Sequence, residues 1–252
     1  MLRRGLGVLL LLAAGTALGG ARPPRDDGPH FEYREFSRGG VRYPYAVWLP
    51  RGYREERRWP AILFLHGSGE SGTDGKKPTL VGLGPALTAH PEAWPFVVVF
   101  PQKPRDDEEW WEEEAAVFET IQRARREFDF DSERMALVGL SQGGHGVWMM
   151  GARYPLRWAC LVPVAAYGRV RTVAKRVARV PVWAFHGMKD DLVNPKDTQD
   201  IVAAIRAERQ RLDLTDVDAR MTLYPEANHD SWDPAFGDPK LPAWILDKMR
   251  AR

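Results

Sequence analysis

Apolar and polar positions alternate in blocks that set out the elements of the chain before any single residue matters. Phe31 to Phe36 and Val41 to Leu49 alternate partially around Arg38-Gly39-Gly40, which predicts an antiparallel hairpin at a sheet edge. Ala61 to Leu65, Phe96 to Phe100, Met135 to Val138, Ala159 to Ala165, Val180 to Phe185 and Met221 to Tyr224 are instead continuous apolar runs. Such runs predict strands covered by helices on both faces. Between them the period lengthens. Val117, Ile121, Ala124 and Phe128 fall at helical spacing, and Ile201, Ala204 and Ile205 follow an Asn194-Pro195 helix start. A helix runs from the Gly139–Gly144 region to Tyr154-Pro155, a short one is predicted near Pro85 to Thr88, and Leu241, Trp244, Ile245 and Met249 mark a closing one. Strands alternating with helices after an initial hairpin predict an α/β fold: a doubly wound, mostly parallel sheet with an N-terminal antiparallel hairpin. No stretch between the late strands is long enough for a large cap domain; Tyr167 to Arg179 is the longest candidate.

The beginning of the chain reads differently. Met1 to Ala21 carries Arg3 and Arg4, then apolar residues from Leu6 to Leu18, then Gly19-Gly20-Ala21, the pattern of a secretory signal peptide. Its apolar part is shorter than the roughly 20 residues that span a bilayer, so cleavage is expected over retention as an anchor. Residues 22–30, with three prolines, read as a linker, and 31–252 as one domain of a size that can bury a full core. Without the leader, 34 basic residues face 34 acidic ones, so the basic excess of the whole chain says nothing about nucleic acid. The one cysteine, Cys160, lies in an apolar run and reads as a buried thiol. Export without disulfides suits a periplasmic or extracellular location.

Gly139-Leu140-Ser141-Gln142-Gly143 joins a strand run directly to a helix, with Gly144 as a third small residue. A serine on such a turn stands clear of the backbone, and the N–H of Gln142 at the helix start points where an oxyanion would form. An acyl-transfer serine needs a base, and the base needs a carboxylate. From Gln142 to Lys189 there is no Asp or Glu, so Asp190 is the first acid after the serine, with Asp191 its close rival. Beyond Asp190 there is one histidine, His229. With the order Ser, acid, His that an elbow serine of this kind uses, order and the place of Asp190 in the turn after a strand together select Ser141, Asp190 and His229. The second oxyanion donor is assigned to the backbone N–H of Ser68, with Gly69 as the alternative, in the turn after Leu65. His66 reads as a structural brace and His145 as helix packing.

The motifs Leu65-His66-Gly67-Ser68-Gly69-Glu70, Gly139 to Gly144, His186-Gly187-Met188-Lys189-Asp190 and Ala227-Asn228-His229-Asp230-Ser231-Trp232 together resemble the α/β-hydrolase superfamily. Within it the chain looks like the dienelactone hydrolase-like and carboxylesterase branch, which includes secreted proteins labelled as esterases or peptidases. The resemblance implies ester hydrolysis through an acyl-serine, with no metal or organic cofactor. Dienelactone hydrolases proper use cysteine as nucleophile where this chain has Ser141, so their substrate does not carry over.

The expected substrates are small-molecule, aryl or polysaccharide-linked esters in an open cleft, with no nucleic-acid partner and no membrane association after leader removal. Trp110, Trp111 and Trp232 are candidates for stacking on sugar or aromatic groups, set against ordinary loop packing. A serine peptidase of the same fold, an acyltransferase and a secreted carbohydrate-binding protein without turnover are the rival classes. The acidic runs Asp106 to Glu109 and Glu112 to Glu114 lack a metal-ligand spacing and read as a solvated helix start.

Overall fold

The computed structural model describes residues 28–54, 57–214 and 216–250. The stretch expected to be a leader, residues 1–21, and most of the expected linker lie outside these residues. Among the described residues, no helix is long and apolar enough to cross a membrane.

The predicted hairpin is formed by β1 (His30–Arg38) and β2 (Val41–Leu49), which pair antiparallel from His30 opposite Leu49 to Arg38 opposite Val41. Gly39 and Gly40 both have positive φ, 58° and 80°, as a two-residue turn matching strand twist requires. The strand takes in His30, one residue of the stretch expected to be linker. Six further strands follow: β3 (Trp59–Leu65), β4 (Val97–Pro101), β5 (Phe130–Leu140), β6 (Trp158–Val164), β7 (Val182–Gly187) and β8 (Ala219–Tyr224). The sheet order is β1-β2-β4-β3-β5-β6-β7-β8, antiparallel at the two contacts of β2 and parallel from β4 to β8.

The continuous apolar runs have a direct cause in the two layers they feed. Ala61, Leu63 and Leu65 of β3 and Met135 and Leu137 of β5 face one core, with α2 (Glu114–Glu127), α3 (Gln142–Arg153), α4 (Val170–Val177) and α5 (Pro195–Arg211). Ile62, Phe64, Ala136, Val138 and Leu140 face the other, with α1 (Leu83–Ala89), α6 (Trp232–Phe236) and α7 (Lys240–Arg250). With helices on both sides, neither strand face can be polar. Cys160 is fully buried in the second layer. The segment from Tyr167 to Arg179 contains α4, which packs on α3 and α5 and is part of the sandwich. Phe128, expected to close the α2 stripe, sits just past it in extended conformation, yet remains buried.

After β3 the chain steps one way to β4, then returns to the other side of β3 as β5. This reversal makes a switch point at β3 and β5, and the carboxyl ends of strands at such a point are the usual place for a site in an open α/β sheet. The turn His66 to Glu70 leaves β3 there, and Ser141 leaves β5.

Candidate active site

Ser141 links β5 to α3 with φ 53° and ψ −121°, a conformation that L residues rarely adopt. The glycines around it make this possible. A Cβ on Gly143 would stand 2.0 Å from the Leu65 carbonyl oxygen, and one on Gly139 would stand 2.5 Å from that of Gly143. The elbow is thus pressed against the end of β3, and the Ser141 N–H donates to Val164 O at 2.9 Å, tying it to β6 as well. With three strands holding the turn, the strained serine is over-determined by its surroundings.

His229, in the loop after β8, brings its Nε2 to 2.9 Å from Ser141 Oγ and its Nδ1 to 2.8 Å from Asp190 Oδ2. Asp190 lies in the turn after β7 and is buried, whereas Asp191 is exposed. Its other oxygen, Oδ1, accepts the backbone N–H groups of Leu192 at 3.0 Å and Val193 at 2.8 Å. Burial works to raise the Asp190 pKa, but the Val193 N–H and the His229 ring outweigh it and hold the carboxyl below the usual range. An ionised Asp190 only accepts, so His229 carries its proton on Nδ1 and turns the Nε2 lone pair to the serine hydroxyl. This is the tautomer in which an imidazole can take a proton from Ser141.

The loop after β3 is held from several sides. Gly67 donates its N–H to Glu70 Oε2 at 2.9 Å, which leaves the N–H of Ser68 as the next donor along the chain. His66, 1% exposed, donates from Nδ1 to Gly67 O at 2.6 Å and accepts the Lys103 N–H on Nε2 at 3.2 Å. It is a brace, as the sequence suggested. Burial pushes its pKa down to about 3 from 6.5.

That shift has a consequence for stability. Once unfolded, the imidazole takes a proton near pH 6.5, while the folded one resists until about 3. The stabilisation is therefore complete above the unfolded value and is lost as pH falls towards the folded one, at most about 1.4 kcal/mol per pH unit for one group. Burial lowers His186 in the same direction. Urea unfolding at pH 7 and pH 5 should show the loss, and His66→Gln should flatten the slope; an unchanged slope would contradict it.

One of the three tryptophans departs from the expectation. Trp110 is 1% exposed, lies edge-on to His66 with centroids 4.7 Å apart, and donates its indole N–H to His66 O at 2.9 Å. It is a pillar under the loop after β3 and is not available to a substrate. Trp111 remains 37% exposed. Trp110→Ala should therefore cost about 3–5 kcal/mol in urea unfolding and Trp111→Ala about 0.5, and equal losses would overturn this division. Trp232 is half-buried, with its ring edge-on to His229 at 5.2 Å.

The acidic stretch is also more than a solvated helix start. Glu109 accepts from Tyr167 OH at 2.9 Å and pairs with His145 Nδ1 at 3.0 Å, while the His145 and Tyr167 rings stack at 4.3 Å. Although burial raises it, the hydrogen bonds from His145 and Tyr167 leave the Glu109 pKa below its usual value. Gln142 adds a bond from its side-chain amide to Asp106 O at 2.9 Å. These contacts fasten the loop to α3 and to the end of β6. No group of three or more His, Cys, Asp or Glu among the described residues is placed to hold a metal ion.

The open sheet with its elbow serine, and a histidine between that serine and a buried aspartate, define a serine hydrolase of the α/β-hydrolase fold. Residues 38–239 match the family model "Esterase: Putative esterase", and the chain belongs to that esterase family. No curated protein matches. Among solved structures, the chain is similar to a thermostable esterase at 24% identity and TM-score 0.74, over 86% of this chain and 62% of the other. It thus spans less than two thirds of that esterase's length. It is similar also to S-formylglutathione hydrolase from Staphylococcus aureus, at 16% identity and TM-score 0.64, over 88% of this chain and 98% of that one. For the feruloyl esterase module from Clostridium thermocellum the values are 15% and 0.63, over 90% and 88%.

Proposed function

We propose that the chain hydrolyses carboxylic esters through an acyl-serine intermediate on Ser141. His229 removes the hydroxyl proton as Oγ attacks the ester carbonyl, and Asp190 stabilises the resulting imidazolium. The backbone N–H groups of Gln142, at the positive end of α3, and of Ser68 bind the tetrahedral oxyanion. His229 then protonates the leaving alcohol, and a water activated by the same nitrogen releases the acid and restores Ser141. The observation that carries this reading is the unbroken chain from Asp190 Oδ2 through His229 to Ser141 Oγ, at 2.8 and 2.9 Å.

The ring of Trp232 beside the base favours esters with a flat group near the scissile bond. The leader-like Met1 to Ala21 supports action in the periplasm or outside the cell on small-molecule or polysaccharide-linked esters. The test is a panel of nitrophenyl esters from acetyl to long-chain acyl, with methyl ferulate. Preference for short or aryl acyl groups supports the proposal. No turnover of any ester by folded protein would overturn it, and cleavage of peptides alone would move the assignment to a serine peptidase.

A further inference from the structure

We propose that His186 is a positioning residue for the proposed acid–base pair, its Nε2–H fixing the plane of the Asp190 carboxylate so that Oδ2 meets His229 Nδ1. The inference rests on the roles given above to Asp190 and His229. Asp190 Oδ1 is pinned by the N–H groups of Leu192 and Val193, but one anchored oxygen still lets the carboxylate turn about it. The second oxygen is the one His229 uses. His186 Nε2 stands 3.1 Å from that same Oδ2 and 3.1 Å from Val193 O. Both partners are acceptors, so the ring presents an N–H there, and the carboxylate is held at both oxygens.

The ring of His186 is itself fixed from the opposite side. Its Nδ1 lies 2.7 Å from Thr198 Oγ1 on α5, and that oxygen is 3.1 Å from Ala166 O. His186 is 0% exposed and Thr198 1%, so neither meets substrate. Burial disfavours the charged ring, so with Nε2 donating, Nδ1 keeps a lone pair, and the single Thr198 hydroxyl proton serves it at 2.7 Å in preference to Ala166 O at 3.1 Å. Val182, Trp183, Ala184 and Phe185, which precede it on β7, are buried and apolar. A polar ring among them costs desolvation that an apolar side chain would avoid. Its hydrogen bonds recover that cost and end on the oxygen that orients His229.

The test compares His186→Met, which keeps bulk but loses the donor, with His186→Gln, which keeps an N–H, and with Thr198→Val. Each variant is assayed for kcat and KM on nitrophenyl acetate. Each is also examined by proton NMR for the low-field His229 Nδ1–H resonance, assigned by its absence in His229→Gln. His186→Met should lower kcat about tenfold, the order of one lost hydrogen bond to a charged group, with KM unchanged. Its resonance should move upfield and broaden. His186→Gln should recover most of both, and Thr198→Val should shift both slightly in the same direction.

A folded His186→Met protein with a lower melting temperature but the wild-type resonance and kcat would overturn the proposal. Should His186→Met not fold, an unchanged resonance in Thr198→Val would do so. Because the resonance needs no substrate, absence of ester turnover by the wild type would count against the esterase reading and leave this proposal to be decided by the spectra.

Discussion

Ser141→Ala should lower kcat by about 10⁶-fold on every ester that the wild type cleaves, leaving only the slow turnover that a bound, polarised carbonyl sustains. The size of the effect comes from what the elbow provides. The strained backbone places Oγ at 2.9 Å from His229 Nε2, and no hydroxyl elsewhere on the turn can replace it. Because alanine tolerates the same turn no worse than serine, the variant should unfold at nearly the wild-type urea concentration. Steady-state rates on nitrophenyl acetate, with the unfolding curve as control, measure this. A folded variant retaining a tenth of the activity would require another nucleophile.

Asp190→Asn should lower kcat by about 10⁴-fold with little change in KM, while Asp191→Asn should remain close to wild type. The carboxylate accepts from His229 Nδ1–H at 2.8 Å and thereby places the lone pair on Nε2. An amide nitrogen at that position would donate instead, favour the opposite tautomer and turn an N–H towards the serine. Asp191, the next residue, is exposed, and the His229 Nδ1 bond goes to Asp190. Comparable losses in both variants would contradict the assignment of the acid.

The legibility of these residues in the sequence had a physical origin. A triad in this fold is ordered by the strands that carry it, and the chain from Gln142 to Lys189 contains no carboxylate, so topology left one first acid and one later histidine. The strands were legible because covering both faces of a sheet forces apolar runs, while their ends drifted where backbone pairing continues past the last apolar residue, as at His186 and Gly187.

What tertiary contact decides was not legible. Trp110 and Trp111 are equivalent as a pair in an acidic stretch, and only the packing against His66 and Gly146 puts one inside. The role of Glu109 depends on Tyr167, 58 residues away, and that of His186 on Thr198 across α5. Nothing in local spacing announces such partners. Polar residues standing in or beside apolar runs, as His66 and His186 do, were the available signal.

The most direct test of the account is covalent labelling with a fluorophosphonate, followed by peptide mass spectrometry to locate the adduct. The account predicts one adduct per chain, on Ser141, absent in Ser141→Ala and strongly slowed in His229→Gln. An adduct on any other residue, or none on protein that turns over esters, would contradict the central claim that Ser141 is the nucleophile.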